Sequence, residues 1–264
     1  MNYSKKTVWV TGASSGIGKS ICREIAKKGA NLVISSRRVD ELNSLKSELE
    51  KSGIKVLVLE LDLKKQSNFK EKFEEVLKEF SSIDLLINNG GISQRSLVTD
   101  TSSLVDRNLM EVNFFGTVAL TKVVLPHMIK NGGGQIAAVS SIVGKFGFPL
   151  RSAYSASKHA LHGFFESLRA ENVSNNISVT MIIPGRIKTN ISKNALLGDG
   201  EIYGKMDQGQ DLGMSSEKAS EIIVRGLEKE KKEILVGKKE ILMVHIRRFL
   251  PSLYYKLASK VKAV

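Results

Sequence analysis

Short apolar runs alternate along this chain with longer stretches in which apolar residues recur every three to four positions. The runs predict strands over 8–10, 31–35, 55–59, 83–87, 135–140 and 178–183, and the periodic stretches predict helices over 18–28, 39–51, 66–80, 101–130, 152–172 and 215–229. Strand and helix in regular alternation make a parallel sheet with helices on both faces, because each crossover must lay its helix against the sheet it has just left. The expected architecture is therefore α/β, a doubly wound parallel sheet in three αβα layers. At 264 residues one domain over 1–264 is expected, with its core at about 6–190. Ligands in such folds bind beyond the carboxyl ends of the strands.

Two regions break the rhythm. Residues 190–214 are rich in Gly, Asn, Asp and Lys and carry little strand pattern, so they read as a long mobile lid over a site. In 240–264, Leu242, Ile246, Phe249, Leu253 and Leu257 fall at helical spacing among Arg247, Arg248, Lys256, Lys260 and Lys262, with Pro251 interrupting the pattern. A basic amphipathic tail of this kind can lie on an anionic membrane surface. Packing on a partner subunit or over the rim of the active site is the other reading.

Forty Lys and Arg against 27 acidic residues leave a formal charge of +13, which favours anionic company such as a phosphorylated cofactor. Zinc-ligand spacing, RNA-binding signatures and long basic runs are absent from the sequence, so nucleic acid is not an expected partner. One cysteine, Cys22, excludes an internal disulfide framework and fits a reducing compartment; on the first helix it reads as core packing. The opening residues lead straight into the first strand without a signal peptide, and the expectation is a cytoplasmic protein with no stretch long and apolar enough to span a bilayer.

Candidate chemistry begins at Thr11-Gly-Ala-Ser-Ser-Gly-Ile-Gly18, between the first strand and the first helix. Gly12, Gly16 and Gly18 let backbone approach a pyrophosphate, and the helix that follows offers unpaired N–H groups and the positive end of its dipole. Gly18-Lys19-Ser20 resembles the end of a P-loop, but the first P-loop glycine would fall on Ala13. Further on, Tyr154 and Lys158 stand four apart on one helix face, 13 residues after Ser141. A fixed positive charge beside a phenol favours the phenolate, and the lysine is placed to supply it. Ser141, at a strand end, can hydrogen-bond a substrate carbonyl.

Together with Asn88-Asn89-Gly90-Gly91, Asn113 and Pro184-Gly185, in this order and spacing, these residues resemble the short-chain dehydrogenase/reductase family over about 6–192. The segments around Asn88, Asn113 and Tyr154 are similar to its member 7 and 7B branch, whose animal members carry an N-terminal membrane anchor that this sequence is not expected to have. Gly90 stands where many members have alanine. The resemblance implies a Rossmann-type fold and a nicotinamide-dependent carbonyl reductase or alcohol dehydrogenase. It makes Tyr154 the general acid/base, with Lys158 lowering its pKa and holding the ribose hydroxyls, Ser141 polarising the carbonyl and Asn113 anchoring a proton relay. Cofactor contacts are implied at Gly12, Ser14, Ser15, Gly16, Ile17 and Gly18 of the turn, and at Asn89, Gly90, Tyr154 and Lys158. Asp62 matches the position that contacts the adenine amino group, with Leu63 beside the ring, and Pro184, Gly185, Ile187 and Thr189 resemble the segment that holds the carboxamide. Family members pair through the helices spanning 111–130 and 152–172, which implies a homo-oligomer, dimer or tetramer.

An acidic residue at the end of the second strand would accept bonds from a ribose 2′-OH, but Ser35-Ser36-Arg37-Arg38 stands there. A guanidinium grips a 2′-phosphate that a carboxylate would repel. The expected cofactor is NADP(H), with Arg37 as the main clamp, Arg38 beside it and Ser36 assisting. The substrate pocket is expected to be walled by Ser93, Gln94, Ile142, Val143, Phe146, Phe148 and the lid, which suits a small hydrophobic ketone, aldehyde or alcohol. The alternative function is an NADPH-binding redox sensor or docking protein with incidental catalysis. The complete set of Asn113, Ser141, Tyr154 and Lys158 favours the enzyme, since a sensor needs no proton donor.

Overall fold

The computed structural model describes residues 2–260. In chain order it contains β1 (Thr7–Thr11), α1 (Gly16–Ala26), β2 (Asn31–Ser36), α2 (Val39–Leu49), β3 (Val56–Glu60), α3 (Phe69–Glu79), β4 (Leu85–Asn88), α4 (Ser103–Met110), α5 (Gly116–Lys130), β5 (Gly134–Val139), α6 (Ser152–Glu171) and β6 (Ile177–Pro184). There follow β7 (Ile187–Lys188), α7 (Gln208–Asp211), β8 (Met214–Ser215), α8 (Ser216–Glu228), β9 (Glu233–Val236), α9 (Leu242–Phe249) and α10 (Pro251–Ala258). Seven parallel strands form one sheet in the order β3-β2-β1-β4-β5-β6-β9. The order reverses between β1 and β4, and the strand ends part there to leave a crevice.

Period-two alternation divides the central strands between two cores. Val8 and Val10 point to the layer of α1, α2 and α8, where Ile21, Leu45 and Ile223 pack. Trp9 points to the opposite layer, where Phe69, Val124 and Phe165 close the core. Both faces are dry, so the strands read as continuous apolar runs.

The expected three-layer fold is present, with differences in particular elements. The seventh strand, β9, escaped the sequence reading because only Ile234, Leu235 and Val236 mark it between lysine-rich flanks. The helix expected over 101–130 contains one turn of π-helix, Glu111–Phe115, between α4 and α5. This helix, Ser103–Lys130, is also long and apolar enough by length and composition to cross a membrane, with mean hydropathy 1.3, which corrects the expectation that no such stretch exists. Its Leu120, Val124 and Met128 are packed into the core of the sheet.

The 190–214 segment is built rather than featureless. Leu196 bridges both Gln94 and Ile202, and Asp207 caps α7 by accepting from Gly209 N at 3.0 Å. Burial of Cys22 agrees with its reading as core packing and pushes its thiol pKa up. In the tail, Pro251 starts α10 instead of continuing α9. Tyr254 is buried against Phe146, with ring centroids 5.3 Å apart, and its hydroxyl donates to the Gly147 carbonyl. Leu242, Phe249, Leu253 and Leu257 of the expected apolar stripe are exposed, whereas Met243, Val244 and Ile246 pack beside Tyr254. Lys262 lies outside the described residues.

Candidate active site

Beyond Thr11 the chain turns through Gly12 at φ 64° and reaches α1 through Gly16 at φ 54°, left-handed conformations that favour glycine. The inner side of the turn is packed shut: a β-carbon on Gly12 would stand 2.8 Å from Gly90 Cα, and one on Gly18 would stand 2.4 Å from Asn89 Nδ2. Asn89 holds this closure by donating from Nδ2 to the carbonyls of Thr11 (2.9 Å) and Gly12 (3.2 Å). Thr11 Oγ1 accepts from the backbone of Asn89 and Gly90 at 3.0 and 2.9 Å. The outer side, with Ser14, Ser15, Gly16 and Ile17, opens onto a cleft of about 730 Å³. Such a cradle fits a pyrophosphate, since the N–H groups of the first turn of α1 have no helical partners.

The cleft follows the ends of the strands. Ser36, Arg37 and Arg38 after β2, and Asp62 and Leu63 after β3, line it on one side. Ser141 after β5, Tyr154 and Lys158 of α6, and Pro184, Gly185, Ile187 and Thr189 after β6 line it on the other. Gly18 and Asn113 stand behind this wall. Arg38, rather than Arg37, reaches the glycine turn: its Nη2 donates to Ser14 Oγ at 2.9 Å and to Ser15 Oγ at 2.8 Å. Ser36 Oγ accepts from Arg38 N at 3.1 Å, which folds the chain back toward α1. One oxygen of Asp62 accepts from Lys64 N at 3.0 Å, so the carboxylate also holds its own turn. At Gly90 a β-carbon would meet the end of the Leu63 side chain at 2.8 Å, a flexible neighbour that can shift.

Asn113 sits fully buried in the π turn, where its Oδ1 accepts from Ile92 N at 2.9 Å and its Nδ2 donates to Ile92 O and Ser157 Oγ, both at 3.0 Å. The wider turn of a π-helix aims this amide across at α6, a common use of such bulges. Lys158 Nζ donates to the Val139 carbonyl at 2.8 Å, and burial lowers its pKa to about 8. Ser141 Oγ accepts from Val143 N at 3.3 Å. Burial raises the pKa of Tyr154, while the guanidinium of Arg151 and hydrogen bonding by Ser141 pull it back.

The same reading comes from known proteins: residues 6–198 match the family model described as short chain dehydrogenase. The chain belongs to the short-chain dehydrogenase family. It is 42% identical over 260 residues to the Dehydrogenase/reductase SDR family protein 7-like of Drosophila melanogaster, covering 97% of this chain and 80% of that one. Against the SDR family member 7B of Xenopus laevis it is 41% identical, covering 96% and 80%. A short-chain dehydrogenase of Burkholderia phymatum, solved with NAD, superimposes with a TM-score of 0.84 at 20% identity, covering 96% of both chains. An alcohol dehydrogenase of Thermococcus sibiricus, solved with 5-hydroxy-NADP, gives 0.77 at 25% identity, covering 89% of this chain and 97% of that one.

Within this short-chain dehydrogenase, the expected site residues converge on one cleft, with Asn113 and Gly18 supporting it from behind. Three others take roles that the sequence did not indicate. Gln94, expected only as pocket wall, accepts at Oε1 from the backbone of Ala153 (2.9 Å) and Tyr154 (3.3 Å), fixing the start of α6. Arg151 and Asp207 meet across the cleft, with 3.6 Å between Nη2 and Oδ2. A cation three residues before Tyr154 was the available sign of Arg151; Asp207 had none, because the guanidiniums it meets are over 50 residues away.

Proposed function

We propose that this short-chain dehydrogenase interconverts a carbonyl and an alcohol with NADP(H), using Tyr154 as general acid and base. The observation that carries the reading is the convergence of Tyr154, Ser141 and Lys158 on the cleft that the Gly12–Gly18 turn opens. The nicotinamide, when bound, supplies or accepts the hydride. In reduction Tyr154 gives its proton to the carbonyl oxygen, and in oxidation its phenolate takes the alcohol proton. Ser141 donates a hydrogen bond to the same oxygen as charge develops on it. Lys158 offers ammonium protons to the ribose hydroxyls. Asn113 holds Ile92 and Ser157 in place behind the site, and Gln94 fixes the first turn of α6. Proton transfer of this kind contributes typically about 10²- to 10⁴-fold.

NADP(H) is favoured over NAD(H) because Arg38 lies against Ser14 and Ser15, and Ser36-Arg37-Arg38 rather than a carboxylate stands at the end of β2. The guanidinium and both hydroxyls can close on a 2′-phosphate. Arg37, also on the cleft, adds charge from the rim. A hydrophobic carbonyl or alcohol suits the substrate end, which Ile142, Val143, Phe146, Phe148 and Met243 line. The tail covers this rim, and its exposed Leu242, Phe249, Leu253 and Leu257 lie among Arg248, Lys256 and Lys260. That face suits peripheral contact with an anionic membrane. Exposed Leu104 and Phe115 on the α4–α5 helix suit pairing into a dimer or tetramer.

The test is loss of reduced-nicotinamide absorbance with a panel of hydrophobic ketones and aldehydes, using NADPH and NADH in parallel. Turnover with NADPH that disappears in Tyr154→Phe supports the reading; turnover that survives the substitution removes it, and binding of NADPH without turnover on any carbonyl favours the sensor.

A further inference from the structure

The chain enters α6 through a costly turn. Leu150 has φ 62°, a left-handed conformation rare for a branched side chain. The next residue, Arg151, goes into the cleft, where its Nη1 donates to Ser93 Oγ at 2.9 Å and to the Gln94 carbonyl. Gln94 therefore serves two neighbours at once: its carbonyl holds the guanidinium, and its side chain holds the backbone of Tyr154.

Asp207, on the lid, stands 3.6 Å from Arg151 but 2.5 Å from Arg95, so one carboxylate serves two guanidiniums. Arg95 in turn lies over the Tyr203 ring at 4.8 Å. Lys158 Nζ donates a hydrogen bond to the Val139 carbonyl and stands 5.8 Å from the centre of the Tyr154 ring. Glu240 lines the same cleft but accepts from Arg186 N at 2.8 Å.

We propose that Arg151 is a positioning residue for the proton donor: held by Ser93, Gln94 and Asp207, its guanidinium provides the fixed charge that keeps the phenolate of Tyr154 within reach. Burial pushes the phenol up, and among the groups that oppose it Arg151 comes first, ahead of Ser141. Burial also acts on Arg151 itself, yet a guanidinium keeps its proton across the working range. The lid thus tunes the donor, since Asp207 partly neutralises the charge that acts on it.

This inference rests on Tyr154 being the donor, so the experiment reads the phenol directly rather than through turnover. Protein carrying ¹³Cζ-labelled tyrosine is titrated by NMR, with Tyr154→Phe identifying the resonance among the five tyrosines. In Arg151→Met the Tyr154 titration should move up by about one pH unit or more, or leave the accessible range, and Arg151→Lys should restore most of the shift. Asp207→Asn, which keeps the cap of α7, should move it down. Alcohol oxidation at neutral pH should fall about tenfold in Arg151→Met, with its acid limb displaced to higher pH. An unchanged Tyr154 titration in folded Arg151→Met, or a rise in KM alone, overturns the proposal and leaves Arg151 to substrate binding. If the titration moves but no carbonyl is ever reduced, the electrostatic role stands and the enzymatic reading fails.

Discussion

The two halves of the cleft are built by different means. On the cofactor side the shape is made by backbone: Gly12 and Gly16 in left-handed turns, Gly18 packed on Asn89, and the end of α1 left open. On the opposite side the shape is made by side chains brought from far apart, with Asp207 of the 190–214 segment on Arg95 and Arg151, and Tyr254 of the tail on Phe146. Backbone geometry demands particular residue types at fixed spacing, whereas a roof of side chains can be assembled from many sequences. Substitution at Gly12, Gly16 or Gly18 should therefore fail outright, whereas the second half can be altered by degrees.

The strongest way to break this comparison is Gly18→Val. A β-carbon there already overlaps Asn89 Nδ2 and Gly12 O, so the branched side chain should cost about 3 kcal/mol or more and abolish NADPH binding, measured by thermal melting and fluorescence titration. Retained binding would mean that the turn is more compliant than its contacts imply. Arg38→Glu comes next. It removes the donors to Ser14 and Ser15 and puts a carboxylate where NAD(H) would use one, so the NADPH-to-NADH ratio of kcat/KM should fall about 100-fold. An equal loss with both cofactors would place the arginine's role in folding the turn.

The roof should respond differently. Tyr254→Ala deletes a buried ring and the bond to Gly147 and should cost about 3 kcal/mol locally. Substrate KM should rise while the dissociation constant for NADPH stays the same; a matching loss in both would show that the halves are coupled. The smallest effect concerns Lys158, which is shared by both. Burial disfavours its charged form, so the ammonium is present below a pKa of about 8 and is lost above it. Reduction should decline as pH rises through that value, a decline that a profile flat across it would deny.

The same contrast decides what could be read in advance. Gly12, Gly16, Gly18 and the Tyr154–Lys158 pair were legible because each meets a local requirement of turn or helix face, whereas Asn89, which reaches Thr11 and Gly12 across more than 70 residues, was legible only through the family resemblance. β9 was not, because a four-residue strand at the sheet edge has too few apolar positions to form a pattern. Nothing periodic marks the π turn that aims Asn113, since it arises from one extra residue in a helix of ordinary composition. Arg38 displaced Arg37 as the residue on the turn because Ser36 folds the backbone there, a contact that spacing alone does not disclose. Arg151, Gln94 and Asp207 depend on meetings across more than 50 residues, which only the folded chain brings together.

The central claim is that the hydroxyl of Tyr154 moves the proton in this cleft, and Tyr154→Phe tests it with the least disturbance of packing. NADPH affinity should stay within about twofold while carbonyl reduction falls by about 10²- to 10⁴-fold. Reduction at close to the original rate, with NADPH still bound, would contradict it.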